Sequence, residues 1–397
     1  MVKKDRPNEF KQTDPNKMLP EVYQNHLKSQ LSPAEYLFMQ ILMSLLQSIK
    51  QVSLEALATT LPLPVLFESR RKRIQRFLSL KSLKVETLWL PMISLWLETQ
   101  LSAAQIVYLA IDRTSWVRVN LLMISLVWNH RGIPLYFELL PKLGSSNFAE
   151  QKAAFLKIFP LLNKYKIVVL GDREFCSVKL GSWLREQKVY FCLRLKKDTF
   201  IQRADEVWQE LNDLGLKPGV SFYLQGMKVT KSLKIAGFSI ACKWKRKYRG
   251  IAPEEGWFIL TNLESLSAAI NAYKRRFSIE EMFRDFKSGG YNLEGTNVSE
   301  ERLISLILLI AIAYTSATIF GNEINQKGVQ KYVGRVKEYG RIEKRHSSFY
   351  IGLYGQTWVN FSQSCGQLVA ALMRLNRNKQ KYYQQGQRAM ELMLAAS

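Results

Sequence analysis

VYLAIDRTSWVRVNLLMISLVWNHRGIPLYFELL, residues 107–140, is the stretch on which the fold class turns. It divides into three apolar, β-rich runs, VYLAIDRTSW, NLLMISLVWNHRG and IPLYFELL, broken by short polar turns. Three consecutive antiparallel strands have this texture. Downstream, NFAEQKAAFLKIF has helical periodicity and KIVVLGDREF is nearly continuously apolar, as a strand buried on both faces is. SVKLGSWLREQ then reads as helix and VYFCLRLKK as strand.

Three strands, helix, strand, helix, strand is the element order of a ribonuclease H-like fold, an α/β class in which a mixed sheet carries helices on both faces. Residues 198–256 interrupt it with short alternating segments such as VSFYLQGMKVT and LKIAGFSIACKWKRKYR, which predict an inserted β-subdomain. WFILTNL returns to the core. A long helix is expected from about Ser265 to Ser288, ending at Gly289-Gly290 as helices commonly do.

Upstream, the chain to about residue 95 reads as helical. Ser32-Pro33-Ala34-Glu35 is a capping box with proline at the first helical position. ESRRKRIQRFLSL sets Arg70, Arg71, Arg73 and Arg76 around an apolar stripe, a face suited to DNA docking or to simple solvation. Three regions are therefore expected: a helical domain at 1–95 suited to DNA binding, an α/β domain at 96–325, and a basic region at 326–397 with 12 Lys and Arg against 3 Asp and Glu. That last region could contact DNA or, through LVAALMRL, form a dimer.

The whole chain of 397 residues carries 57 Lys and Arg against 33 Asp and Glu, a formal charge of +24, which calls for a polyanionic partner. Nucleic acid comes first, because each neutralised phosphate releases counterions; an anionic membrane surface comes second. Four scattered cysteines and three distant histidines suggest neither a disulfide framework nor a zinc site. With no apolar signal core at the N-terminus, a reducing cytoplasm is expected. The uncharged stretch LISLILLIAIAYTSATIF at 303–320 is long enough for a bilayer. Its place inside a charged chain, directly after the helix that carries the chemistry, favours a helix sandwiched within a domain.

Asp112 closes the apolar run VYLAI and Asp172 closes IVVLG, so each carboxylate lies in or at the end of an otherwise buried strand. A buried carboxylate is costly unless it is paired or binds metal. Glu280, from the later helix, would complete a trio of hard oxygen donors suited to Mg²⁺ or Mn²⁺. Tyr273, Arg276, Glu280 and Lys287 stand at relative positions 0, 3, 7 and 14, within about 60° on one helical face. A phenol, a guanidinium, a carboxylate and an ammonium make a poor core stripe and a good phosphate and metal surface.

At these residues the sequence resembles the DDE transposases of the insertion sequence 4 family. Their signature of Tyr, two residues, Arg, three residues, Glu, six residues, Lys stands complete in YKRRFSIEEMFRDFK, residues 273–287. AIDRTSW and VVLGDREF resemble the two aspartate motifs, and PKLGSSN resembles the segment after the third strand. The one departure is Phe277, where many relatives have tryptophan. The resemblance implies a catalytic triad of Asp112, Asp172 and Glu280 holding two Mg²⁺ or Mn²⁺ ions. It also implies phosphate contacts by Tyr273, Arg276 and Lys287, and a base-stacking role for Trp257. The implied activity is cut-and-paste transposition by a homodimer bound to double-stranded DNA at terminal inverted repeats, in the cytoplasm at the nucleoid of a bacterium and away from membranes. A structure-specific nuclease on the same fold and a catalytically inactive DNA-binding relative remain as alternatives.

Overall fold

A computed structural model describes residue 19 and residues 21–395 apart from 103–104, 204–205, 247–254, 336–338 and 340–344. Parts of the basic region expected at 326–397 thus lie outside the described residues. The chain forms two compact units, Ile93–Asp285 on one hand and Met1–Met92 with Phe286–Ser397 on the other. The expected boundaries at 95 and 325 divide the chain differently. The long apolar helix groups with the terminal segments because its buried face meets other helices there.

The first unit is built on ten strands: β1 (Ile106–Trp116), β2 (Val119–Trp128), β3 (Arg131–Leu139), β4 (Lys166–Gly171), β5 (Tyr190–Arg194), β6 (Phe200–Arg203), β7 (Gln209–Glu210), β8 (Ser221–Val229), β9 (Ile235–Lys243) and β10 (Trp257–Thr261). They form one sheet in the order β3-β2-β1-β4-β5-β10-β9-β8-β6-β7. The hairpins β1–β2 and β2–β3 are antiparallel, whereas β1, β4 and β5 pair in parallel. The first five strands, ordered 3-2-1-4-5 with only β2 reversed, are the ribonuclease H-like core.

Local sequence explains the ends of this core. The β2–β3 loop is the two residues Asn129 and His130, both at positive φ, as tight hairpins require. Pro134, which cannot donate a ladder hydrogen bond, sits on the edge strand β3 next to a register shift opposite Ser125. Asn147 and Glu150 form a capping box that opens the Phe148–Ile158 helix. That helix packs against the Val178–Glu186 helix through Phe155, Phe159 and Trp183.

The strands of the 198–256 segment extend the core sheet itself. β10 pairs with β5 on one side and with β9 on the other, so the segment's hairpins continue the ladder. The helix expected without a break over 265–288 is interrupted: Leu266–Tyr273 and Phe277–Phe286 are joined by a 3-10 turn at Lys274–Arg276.

The second unit is helical. The apolar helix Glu300–Gln326 packs on the helices Pro33–Ile49, Phe67–Leu78 and Ser348–Ser364, and 83% of its most apolar window is buried. By length and composition it is the one described helix that alone could cross a membrane; here its partners are protein. Gly321 and Gly352 let two backbones touch, since a Cβ on Gly321 would overlap the Ser348 carbonyl and one on Gly352 the Ala317 carbonyl.

Gly352→Ala should therefore force the two helices apart and cost about 1–3 kcal/mol or more in urea melts. Gly386→Ala is the control, because it lies in a helix with open space around it. It should be neutral or stabilising by up to about 1 kcal/mol. Equal behaviour of the two variants would contradict this packing.

Candidate active site

The parallel register of β1 and β4 ends at the pair Ile111 and Gly171. Asp112 and Asp172 are the next residue along each strand's direction, so neighbouring strands running the same way deliver two carboxylates at the same end of the ladder. Asp112 is not at the end of its strand, as β1 continues against β2 to Trp116; it stands where the parallel ladder stops. Asp172 leaves β4 and caps a short 3-10 turn, its Oδ1 accepting from the Glu174 amide at 2.8 Å. The Asp112 Oδ1 accepts from the Arg113 amide at 2.8 Å.

Glu280 comes from the Phe277–Phe286 helix and is linked to Asp112 through Arg276. The Arg276 Nη1 lies 3.4 Å from Asp112 Oδ2, and its Nη2 pairs with Glu280 Oε1. Among the described residues, no three acidic, His or Cys side chains stand close enough to hold an ion as they are. The guanidinium lies between two of the carboxylates instead.

Burial, with the charges of Asp172 and Glu280 adding to it, raises the Asp112 carboxyl to about 7 against the downward pull of Arg276 and the Arg113 amide. Three hard oxygen donors that repel one another, with one guanidinium to offset them, fit a divalent cation by their chemistry.

The helix carrying Glu280 is held from below by the β2–β3 hairpin. Arg131 donates to Asp285 at 2.9 Å and lies 3.3 Å from Glu281, both on that helix. A Cβ on Gly132 would come within 3.0 Å of the Ser278 carbonyl, so glycine permits this close approach. Breaking a buried pair such as Arg131 and Asp285 costs about 3–5 kcal/mol. Neither Arg131 nor Asp285 was among the expected site residues, and their separation of 154 positions leaves no local signal.

The other expected residues divide. Tyr273 is buried, with its ring edge-on to Trp257 at 5.1 Å. Trp257 and Lys245 also line a cavity of about 200 Å³ with Lys243 and Lys274. A larger cavity of about 490 Å³ is bounded by Arg173, Arg194, Lys197, Asn212 and Trp244. Glu255, which Arg173 and Arg194 both grip, also bounds it. Lys287 falls in the other compact unit, past the end of the helix, and pairs with Glu294 at 2.7 Å. On the Phe67–Leu78 helix, Arg70 donates to the Leu61 carbonyl at 3.2 Å and Arg71 to Glu55 at 3.2 Å. Arg73 covers the Phe38 ring and Arg76 is exposed.

The high Asp112 value has a thermodynamic consequence. The folded carboxyl titrates near 7 and the unfolded one near about 4, so the stability gained from its protonation is whole below about pH 4 and is lost as pH rises through 7. In chelator, Asp112→Asn should gain stability over the unsubstituted chain between about pH 5 and pH 8, by on the order of 4 kcal/mol at most. Thermal melts across that range check it, and a constant difference contradicts it.

A family model described as the transposase DDE domain matches residues 108–316, which contain all three carboxylates. No curated protein sequence matches the chain significantly. Among solved structures, one described as the cryo-EM structure of the piggyBac transposase synaptic complex with hairpin DNA (SNHP) is 12% identical, with a TM-score of 0.43. The alignment covers 87% of this chain and 78% of that one. DDE transposases use divalent metal ions, which agrees with the donor chemistry. With the family model covering more than half of its length, the chain belongs to the transposase DDE domain family and is a transposase.

Proposed function

We propose that the chain is a cut-and-paste DNA transposase of the insertion sequence 4 type, in which Asp112, Asp172 and Glu280 hold two divalent ions, Mg²⁺ or Mn²⁺. The observation that carries this reading is the adjacency of Asp112 and Asp172 where the parallel ladder of β1 and β4 stops, with Arg276 tying Asp112 to Glu280. A single aspartate at a strand end is commonly a turn or ion-pair residue. Two on neighbouring parallel strands, joined to a third carboxylate, concentrate negative charge where the parallel ladder stops. Paired divalent ions held there would supply an activated attacking oxygen and charge neutralisation at the phosphodiester.

The chain's own side chains bind and orient the DNA. Arg276 exchanges its carboxylate partners for a phosphate oxygen, and Tyr273 and Lys287 hold further phosphates of the transposon end. Trp257 stacks on a base turned out of the end, a contact worth about 1–3 kcal/mol. The exposed face of the Phe67–Leu78 helix docks on the inverted repeats, with Arg73 and Arg76 outward and Arg70 and Arg71 bracing the helix. Water makes the first nick; the freed 3′-hydroxyl attacks the opposite strand and later the target. No covalent protein intermediate forms. The active species is a homodimer bound to both ends, working in the bacterial cytoplasm at the nucleoid, with the helix Glu300–Gln326 serving as protein core.

The test uses the full chain and DNA carrying the element's inverted-repeat ends. Alanine at Asp112, Asp172 or Glu280 should leave the gel shift intact and reduce cleavage to background. EDTA should do the same to the unsubstituted chain, with Mg²⁺ or Mn²⁺ restoring activity. Cleavage retained by any of the three variants contradicts the assignment. Pre-cleaved ends should be joined to target DNA; nicking without joining points to a nuclease, and end binding without cleavage in Mn²⁺ to an inactive relative.

A further inference from the structure

The two aspartate motifs are held together by a pair of residues outside the signature. Arg113 presents its guanidinium edge to Glu174, with Nε 2.9 and 3.1 Å from the two carboxylate oxygens and Nη2 2.9 Å from Oε2. The backbone amides of these same two residues donate to Asp112 and Asp172. A continuous chain of contacts therefore runs from one aspartate, through the Arg113–Glu174 fork, to the other.

The fork is itself fixed from two sides. The Arg113 Nη1 donates to Asn120 Oδ1 at 2.9 Å, and Asn120 Nδ2 donates to the carbonyls of Lys142 at 2.5 Å and Gly144 at 2.9 Å. Glu174 Oε1 also accepts from the Ser146 amide at 3.0 Å and its hydroxyl at 3.2 Å. Burial works against ionisation of Glu174, but the hydrogen bonds from Arg113 and Ser146 and the charge of Arg113 outweigh it and hold its carboxyl below the usual range. The segment PKLGSSN thus acts as a bracket around the pair.

We propose that Arg113 and Glu174 are positioning residues that set the separation and orientation of the Asp112 and Asp172 carboxylates, with Asn120 and Ser146 fixing the fork. Each aspartate has one oxygen committed to a clamp amide and a second available to another ligand; at Asp112 that second oxygen faces Arg276. A planar, bidentate guanidinium holds its partner in a defined plane, which a lysine ammonium does not do. The inference rests on the reading of the two aspartates as cation ligands.

The experiment is Mn²⁺ binding to the full chain, followed by the electron paramagnetic resonance of the free ion, alongside thermal melts. Arg113→Lys and Glu174→Gln should weaken Mn²⁺ binding about 10- to 100-fold, as loss of groups that orient metal ligands does. Ser146→Ala, which removes the hydroxyl's hydrogen bonds with Glu174 and Gln151 and spares the fork, should weaken it about two- to ten-fold. It keeps the test decisive if Glu174→Gln does not fold. Asp112→Asn should abolish binding at the site. If Arg113→Lys and Ser146→Ala bind Mn²⁺ as the unsubstituted chain does and only their melting temperatures fall, the fork is a staple for the fold and the proposal is overturned. If Asp112→Asn also leaves binding unchanged, the aspartates are not the ligands and both readings fall together.

Discussion

Parallel pairing of β1 with β4 is the constraint on which the site depends. An antiparallel pair would deliver the residues that follow the ladder to its opposite ends; a parallel pair delivers them to the same end. With Ile111 and Gly171 as the last matched residues, Asp112 and Asp172 have to be neighbours. Gly171 is part of this geometry, because a Cβ there would meet Phe175 at 2.8 Å and Leu193 at 3.0 Å. The tight turn into the 3-10 segment after Asp172 would open to admit it.

Putting carboxylates at the end of this ladder costs stability, and the surrounding structure offsets the cost in pieces. Arg276 supplies charge to Asp112 and Glu280, backbone amides satisfy one oxygen on each aspartate, and the Arg113–Glu174 fork ties the two motifs together. Asp112 nonetheless remains hard to ionise. Such residual discomfort is expected of a group arranged for a ligand rather than for the fold. On the helix side, Arg131 performs the matching task, gripping Asp285 and Glu281 on the faces beside Glu280.

Much of the core was legible in the sequence because its signals are local. Apolar runs of strand length around Asp112 and Asp172 and the helical periodicity of NFAEQKAAFLKIF each act within a few residues. What was not legible depends on partners far along the chain. Arg113 following Asp112 is visible, but its partner Glu174 lies 61 residues on, and Arg131 and Asp285 are 154 apart. The 3-10 turn at Lys274–Arg276 was missed because the residues there have no helix-breaking chemistry; β-branched and glycine residues are absent from it. Likewise, alternation in the 198–256 segment announces strands without saying which edge they will join, and here β10 offered one to β9.

The terminal helices show the same division. Apolar composition in 303–320 left open whether lipid or protein would cover it, while Gly321 and Gly352 become meaningful only once two backbones are seen to meet. The central claim, that Asp112 and Asp172 form the cradle of a divalent ion, is tested most directly by anomalous scattering from crystals of the chain soaked in Mn²⁺. The account predicts a manganese peak within coordination reach of one carboxylate oxygen from each aspartate, with the Arg276 guanidinium moved off Asp112. A fully occupied manganese elsewhere, with Arg276 still bridging Asp112 and Glu280, would contradict it.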